Sequence, residues 1–383
     1  MILERSVPAT GAGLGDDARG YRRLLGGLVA RADDLMDLVL APIIRLPRHP
    51  VLAARFGLPA LRSATGLARS HFEGLRARAL VAGLSAHSMV SLERPTTASF
   101  GLVLAVTAHA YGWPLVRGGT GELARAMAAE LASLGGEIVT GRRITAIEEL
   151  PPSRAILFDT SPRALATIAG DRLPAGYRRR LGRFRYGPGV VKVDWALSGP
   201  IPWAAERALR TGTVHVGGTM EEIALAEAEV AAGRHPERPF VLVVQATPFD
   251  PSRAPDGRHT GWAYCHVPNG STVDMTERME AQVERFAPGF RDLILARSVR
   301  LPADMEAYDA NYVGGDINCG LQDLRQLLTR PVARLDPYAT PAPGLYLCSS
   351  STPPGGGVHG MSGYWAARSA LRRDFGMRVG GLA

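Results

Sequence analysis

The sequence predicts a mixed α/β (α+β) protein, and three regions of the chain support this class. Residues 344–371 have the pattern of a short apolar strand, a glycine-rich turn and an alanine-rich helix. Residues 18–111 carry apolar side chains at helical spacing, whereas residues 186–330 are rich in β-branched and aromatic positions. At 383 residues, the chain is long enough for two domains or for one large α/β body.

The N-terminal part is predicted to be helical. The segment Gly11–Gly15 looks like a dinucleotide-binding glycine motif, but Asp16 stands where a third glycine is required and no buried strand precedes it. We therefore expect a loop that N-caps a helix at Asp16 or Asp17. Prolines then divide the region into short helices, and two longer helices are predicted at Leu75–Ser88 and Thr96–Tyr111.

From residue 113 the pattern changes to helices that alternate with short strands. A helix is predicted at Leu123–Leu134, because Thr120 or Gly121 suits its N-cap and Gly135 suits its C-cap. A second helix is predicted at Arg163–Ala169. Three strands are predicted in the same region, at Glu137–Thr140, Arg143–Glu148 and Ala155–Phe158.

The region 186–330 is predicted to form an antiparallel sheet with helices. The amphipathic segment Met275–Phe286 is the clearest helix, and Asn311–Asn318 reads as a glycine-kinked turn. Four strands are predicted from their β-branched and aromatic content, at Val190–Trp195, Thr213–Val216, Phe240–Ala246 and Trp262–Val267.

The stretch at residues 344–371 is the most informative pattern in the chain. Leu345–Cys348 forms a compact apolar run, and Pro353–Pro354 ends it because proline cannot donate to a strand ladder. Gly355–Gly357 would let backbone N–H groups approach a ligand with no Cβ in the way. The helix that begins near Met361 points its positive end at this turn, which suits a phosphate or the electron-rich edge of a reduced flavin. An ordinary strand–turn–helix corner is the alternative.

Composition and charge argue against several classes of function. The net charge is +8, but the basic residues are scattered, so we expect no nucleic-acid partner. Weak attraction to acidic lipids leaves a peripheral membrane contact open. The three cysteines are far apart and form no metal-binding spacing, and their sparse use fits a cytoplasmic location. No HExxH metal motif, GxSxG nucleophile elbow or P-loop is present.

Three stretches together resemble one family. Residues 344–371, 112–148 and 311–318 resemble the phytoene dehydrogenase-like branch of FAD-dependent oxidoreductases, which is similar in fold to amine oxidases and phytoene desaturases. The resemblance implies an incomplete FAD/NAD(P)-binding Rossmann-like domain that is interleaved with a substrate domain of antiparallel sheet plus helices. It divides the chain into the helical part of the substrate domain at 1–112, an FAD-domain segment at 113–174, the substrate-domain sheet and helices at 175–334 and the C-terminal FAD-binding segment at 335–383.

The resemblance also implies which residues contact FAD. Arg117–Gly119 matches a loop that faces the cofactor or the domain junction, and no Asp or Glu stands where the family often has an acidic ribityl contact. The matching positions are Gly356, Gly357, Val358, His359 and Met361 along the flavin ring and ribityl chain, Ser350 and Thr352 as polar ribityl contacts, and Ile144 beside the adenine.

Three residues are candidates for catalysis. The glycine turn places His359 at the flavin edge, although this histidine could equally cap the turn. Lys192 is the single lysine of the chain, and lysines of similar amine oxidases hold a water near the flavin; the other interpretation is a surface position at a strand end. His266 lies at the end of a predicted strand, where a histidine is more often a core or loop residue than an acid–base group. Further candidate lining residues are Asn269, Asp316, Asn318 and Tyr364, of which Asp316 is also a candidate turn former.

The main departure from the family lies at the start of the sequence. The family begins with a βαβ unit that carries a GxGxxG turn, which takes roughly 30 or more residues, and nothing of this kind precedes Glu4. Three explanations are open: the start is placed too late, the unit is a separate Rossmann polypeptide that associates, or the chain is a degenerate relative. We expect the isolated chain to bind FAD weakly or not at all.

These observations lead to one expected function and one rival. The expectation is an FAD-dependent oxidoreductase, N-terminally truncated, that moves a hydride from an apolar or amine-like small molecule to flavin. Its activity would require the missing N-terminal unit. The rival is a non-catalytic pseudoenzyme or binding subunit that holds an apolar ligand in the helical region 75–111.

Overall fold

The computed structural model describes residues 1–43, 45–255, 257–377 and 380. The helices are α1 (Val7–Ala12), α2 (Ala18–Val29), α3 (Ala32–Val39), α4 (Pro50–Ala60), α5 (Ala64–His71), α6 (Leu75–Ser85), α7 (Thr97–Ala110), α8 (Thr120–Ser133), α9 (Pro162–Ala169), α10 (Ala175–Leu181), α11 (Met220–Ala231), α12 (Thr276–Phe286), α13 (Pro302–Tyr308), α14 (Leu324–Thr329) and α15 (Met361–Asp374). The strands are β1 (Ile156–Phe158), β2 (Gly189–Leu197), β3 (Thr213–Val216), β4 (Val241–Val244), β5 (His259–Val267), β6 (Ile294–Arg300) and β7 (Leu345–Leu347).

The N-terminal helices α1–α7 pack around a shared apolar core. Leu28 and Leu35 are fully buried in this core, and the Tyr21 hydroxyl joins α2 to α7 through a 2.8 Å hydrogen bond with Nε2 of His109. The two longer helices predicted here are confirmed as α6 and α7, with a 3₁₀ turn after α6. In the described part of the chain, no helix has both the length and the apolar character that crossing a bilayer requires.

The predicted glycine loop near the N-terminus is wrong in part. Gly11 belongs to α1, because Ser6 caps that helix by accepting a hydrogen bond from the Ala9 N–H. Asp17 stands at the N-cap position of α2 but makes no capping bond there. Its carboxylate instead accepts hydrogen bonds from the Glu73 and Gly74 N–H groups at 2.9 and 2.8 Å, which ties the start of α2 to the start of α6.

A five-stranded sheet forms the largest β structure, in the order β3–β4–β5–β2–β6 with antiparallel pairs. One face packs against α12, because alternate residues such as Val191, Val193 and Trp195 are buried against Met279 and Val283. The opposite face carries the other half of each strand, including Lys192 in register with Tyr264 on β5. The four predicted strands are therefore confirmed within a few residues.

A second, smaller sheet joins distant parts of the chain. Strands β1 and β7 run parallel, with Ile156, Leu157 and Phe158 opposite Leu345, Tyr346 and Leu347. Phe158, Leu345 and Leu347 are buried together with residues of α9 and α10. This sheet brings the C-terminal glycine turn next to the segment around residue 156.

Two predicted strands do not form. Residues 137–146 have no regular secondary structure, and residues 147–149 form a 3₁₀ turn. Oε1 of Glu149 accepts hydrogen bonds from the N–H groups of Thr145 and Ala146, which closes a local turn where the strand Arg143–Glu148 was predicted. A strand needs a partner for its backbone groups, and the described residues place no partner beside this segment.

Candidate functional site

The C-terminal turn between β7 and α15 has a tightly constrained backbone. Gly355 and Gly357 adopt φ values of 113° and 140°, which L side chains rarely adopt. A Cβ at Gly355 would lie 2.8 Å from Nη1 of Arg330, and a Cβ at Gly356 would lie 3.0 Å from Oδ1 of Asn318. Glycine is therefore required here both for conformation and for close packing.

Hydroxyl groups fix the start of the turn from inside. Thr352 is fully buried, and its hydroxyl donates to the Ser349 carbonyl oxygen at 2.7 Å. The Tyr338 hydroxyl donates to the Pro353 carbonyl oxygen at 2.9 Å. Ser350 is only half-buried. Of the two predicted ribityl contacts, Thr352 therefore already uses its hydroxyl within its own turn.

A buried guanidinium lies directly beneath the glycines. Arg330 is 2% exposed, and its Nη2 donates to the Cys319 carbonyl oxygen at 3.1 Å. Its Nε is buried and has no hydrogen-bond partner among the described residues. Burial lowers the pKa of Arg330 to about 10, so the group stays charged at neutral pH. The sequence interpretation missed Arg330, although an arginine that follows the apolar helix end Leu327–Leu328 and precedes Pro331 is an unusual position for a charge.

Asp316 is the acidic neighbour of this guanidinium. It is fully buried and accepts hydrogen bonds from the N–H groups of Gly187, Asn318 and Gly320, at 2.7, 2.8 and 2.6 Å. Burial raises the pKa of Asp316, while these backbone donors and the charge of Arg330 oppose the rise. The geometry is that of a residue that organises its turn.

His359 uses both ring nitrogens within the turn. The Met361 N–H donates to Nδ1 at 3.0 Å, and Nε2 faces the Gly355 carbonyl oxygen at 3.2 Å. This pairing fits the neutral tautomer with the proton on Nε2. Burial lowers the pKa of His359, which favours the same neutral form. In this arrangement His359 caps the first turn of α15, while Val358 beside it is 97% exposed.

Lys192 and His266 lie together, but on the sheet rather than beside His359. The Lys192 ammonium forms an ion pair with Asp194 and lies 5.5 Å from the centre of the Trp262 ring. His266 is 2% exposed, and its Nδ1 lies 2.9 Å from the Glu227 carboxylate. Its Nε2 is buried without a partner among the described residues. The sequence interpretation missed Glu227, because the helix that carries it was not predicted.

Two further histidines extend this cluster toward the edge of the sheet. Nε2 of His87 and Nε2 of His215 are 3.1 Å apart, so at least one of the two rings is neutral. The Phe240 ring lies between His215 and His266, with centroid distances of 5.4 and 5.9 Å. Burial lowers the pKa of His215 to about 4 and lowers that of His87 well below its ordinary value. Across the described residues, no group of three or more His, Cys, Asp or Glu side chains is arranged to hold a metal ion.

The remaining predicted site residues mostly hold the backbone. Nδ2 of Asn269 donates to the Gly187 and Val313 carbonyl oxygens, at 2.7 and 2.9 Å. Nδ2 of Asn318 lies 2.8 Å from Sδ of Met89, which connects the turn at 311–318 to the segment after α6.

Three other predicted contacts lie apart from one another. Ile144 is half-buried in the irregular segment, and the Gly118 N–H donates to Asp250 at 2.7 Å. Tyr364 packs edge-on against Trp365 in α15, with ring centroids 5.3 Å apart. The described structure therefore joins Gly355, Gly356 and His359 into one turn and keeps Lys192 and His266 on the sheet.

No family model matches the chain, but a comparison with curated proteins finds relatives. The pyridine nucleotide-disulfide oxidoreductase domain-containing protein 2 of Rattus norvegicus is 28% identical over 299 residues, covering 68% of this chain and 51% of the relative. The protein of the same name from Mus musculus matches to the same extent. The chain thus spans about half the length of these curated relatives.

Solved structures of oxidoreductases are similar in fold. An oxidoreductase from Methanosarcina mazei has a TM-score of 0.56 at 16% identity, over 84% of this chain and 70% of its own. Putrescine oxidase bound to putrescine has a TM-score of 0.54 at 14% identity, over 94% and 75% of the two chains. The predicted mixed α/β (α+β) class is therefore confirmed, and the chain shares the fold of these oxidoreductases.

Proposed function

We propose that this chain belongs to an FAD-dependent oxidoreductase of the phytoene dehydrogenase-like type and supplies one wall of its flavin site. The observation that carries the proposal is the turn from Gly355 to Gly360 between a parallel strand and a 14-residue helix. The N-cap residue Gly360 has no side chain to cap this helix, His359 accepts only the Met361 N–H, and the first turn has no acidic residue. Such a helix end favours an anionic or electron-rich group.

The residues of the turn are compatible with a flavin. Gly356, Gly357, Val358 and Met361 would hold the ring edge through the backbone, and the charge of Arg330 lies beneath Gly355. Reduced flavin carries negative charge, which a buried guanidinium and a helix N-terminus both stabilise. FAD, when bound, supplies a two-electron acceptor. Ser350 and Ile144 remain proposed contacts of its ribityl chain and adenine.

The sheet face that carries Lys192 is the proposed substrate wall. Trp262 and Tyr264 supply apolar surface, and Lys192 is the single lysine of the chain. Its pairing with Asp194 keeps the charge neutralised within the wall. We propose that this pair orients the reacting end of the substrate, while His266 and Glu227 hold strand β5 against α11.

The exposed apolar surface of α8 supports a partner for this half of the site. Leu123, Met127, Leu131 and Leu134 form a stripe at helical spacing, with exposed fractions of 43%, 63%, 45% and 76%. None of the residues of α8 is buried. We propose that a glycine-rich βαβ unit, in the same polypeptide or a separate one, covers this stripe and completes the flavin site.

FAD binding tests the proposal. Equilibrium dialysis of the chain against FAD should show weak binding that Gly355→Ala lowers at least about tenfold, because the new Cβ meets Arg330. Gly289→Ala is the matched control, since Gly289 has a φ of 87° but open space around its Cβ position. Measurable FAD binding that is equal in the wild type and Gly355→Ala would overturn the proposal.

A second candidate function is a binding protein without catalysis. One observation favours it: a cavity of about 990 Å³ lies beside the helices of the region 75–111, where the sequence predicts an apolar ligand site. A chain that binds such a ligand but never FAD would support this candidate.

A further inference from the structure

A large cavity opens between the N-terminal segment, helix α6 and the sheet edge at β3. Its volume of about 990 Å³ lies at the upper end of the roughly 300–1,000 Å³ typical of small-molecule sites. Residues Gly212–Gly218 line one side, and Leu80 and Leu84 of α6 line the other. None of the residues of the glycine turn at 355–361 is among those that line it.

The walls of the cavity expose large apolar side chains. Trp113, Leu115 and Phe249 all line it, and they are 45%, 42% and 47% exposed. Val214 and Ile223 extend the same apolar surface inward. Exposed apolar side chains that converge on one concave surface indicate a ligand with an apolar body.

Guanidinium groups stand at the solvent side of the same cavity. Arg210 and Arg285 each have a carboxylate partner, Glu4 at 3.7 Å and Glu222 at 2.8 Å. Arg5 lies against Gly112 beside Trp113, and no carboxylate among the described residues pairs with it. The cavity therefore combines an apolar wall with a cation that lacks a counter-ion.

The inner end of the cavity is uncharged. His215 lies there, with Nδ1 3.3 Å from the Cβ position of Gly83 and Nε2 bonded to His87. Because burial keeps both imidazoles neutral at pH 7, these two histidines present no charge to a ligand at this end. An apolar tail is favoured inside, and a charged head is favoured at the arginines.

We propose that this cavity binds an amphipathic monoanion, an alkyl carboxylate whose chain lies between α6 and β3 and whose carboxylate pairs with Arg5. The site is separate from the flavin turn, and its occupation does not depend on FAD. Charge decides between ligands of the same length, because a guanidinium attracts a carboxylate and repels an ammonium.

Isothermal titration of the full chain at pH 7 with decanoate, 1-decanol and decylamine tests the proposal. Decanoate should bind most tightly, 1-decanol about tenfold more weakly, and decylamine more weakly still. Arg5→Gln should weaken decanoate about fivefold to tenfold and leave 1-decanol unchanged. Arg179→Gln, an exposed arginine outside the cavity, is the matched control for net charge and should leave all three affinities unchanged.

A blocking variant separates this cavity from the apolar stripe on α8. Ala205 is exposed and lines the cavity, so Ala205→Trp should place a bulky ring in it without disturbing the core and should lower decanoate binding at least about tenfold. A circular dichroism spectrum like that of the wild type checks folding. Decanoate binding that survives Ala205→Trp, or decylamine binding as tight as that of decanoate, would overturn the proposal.

Discussion

The five-stranded sheet and the small parallel sheet differ in size, and helices α12 and α8 differ in how much of their surface the rest of the chain buries. The large sheet has five strands, and its helix α12 buries Met279, Glu280 and Val283 against them. The parallel sheet has two strands, and helix α8, which precedes it in the chain, has no buried residue. Both helices carry an apolar stripe, so the difference lies in the partner and not in the helix.

The contrast shows what an amphipathic pattern can and cannot predict. A stripe such as Leu123, Met127, Leu131 and Leu134 predicts that a helix forms and which side it would bury. It does not predict that a partner is within reach. The segment 137–146 illustrates the same point for strands, since it stays irregular where the described structure offers it no neighbour.

Matched leucine truncations test this contrast most directly. Leu197 of β2 is fully buried, so Leu197→Ala should lower the free energy of unfolding by about 2–5 kcal/mol. Leu131 of α8 is 45% exposed, so Leu131→Ala should change it by less than about 0.5 kcal/mol. Urea unfolding followed by tryptophan fluorescence measures both. Similar losses for the two variants would mean that α8 is packed as well as β2.

The buried pair of Glu227 and His266 is expected to be the next largest effect. Glu227→Ala leaves His266 without its partner inside the core, which should cost about 1–3 kcal/mol of unfolding free energy. Glu221→Ala, on the exposed side of the same helix, is the control and should cost less than about 0.5 kcal/mol. If both substitutions had the same effect, the pair would not be what holds α11 against β5.

The His87–His215 pair predicts acid sensitivity of the large sheet. Burial holds the pKa of His215 at about 4, below that of an unfolded histidine, so the unfolded chain binds more protons as the pH falls. The stabilising contribution should be complete above about pH 6.5 and should be lost progressively toward pH 4.

Urea midpoints measured between pH 7 and pH 4 check this expectation. His215→Phe removes the titrating ring, so its midpoint should fall less with pH than that of the wild type. Amide hydrogen exchange should place the loss in β3 and β4 before the parallel sheet. An unchanged pH slope in His215→Phe would show that other groups control acid stability.

Lys192 is expected to give the smallest effect on stability. Its side chain is 26% exposed and pairs with Asp194, so Lys192→Met should cost no more than about 1 kcal/mol. FAD affinity should stay unchanged, while flavin reduction by substrate should slow in the complete protein. Stopped-flow absorbance measures the reduction rate, and an unchanged rate would remove Lys192 from the proposed site.

Local sequence patterns were sufficient where an element is defined by its own residues. Strand β3 formed at the predicted Thr213–Val216, and the glycine turn formed between a buried strand and a helix from Met361. Strand β6 was missed because it lies at the sheet edge with the exposed Arg297 and lacks a clear alternation. Helix α11 was missed although Thr219 and Glu222 form a capping box at its start.

The sequence alone determined the class of the fold and the glycine turn, because strand alternation, helical spacing and the conformational freedom of glycine are local properties. Only the tertiary structure decided that Arg330 lies beneath Gly355, that His266 meets Glu227, and that His359 caps its own helix. These contacts join residues far apart in the chain or depend on the exact path of a turn. Whether a polar group is paired or an apolar stripe is buried depends on which surface the fold brings against it, and a local pattern does not contain that information.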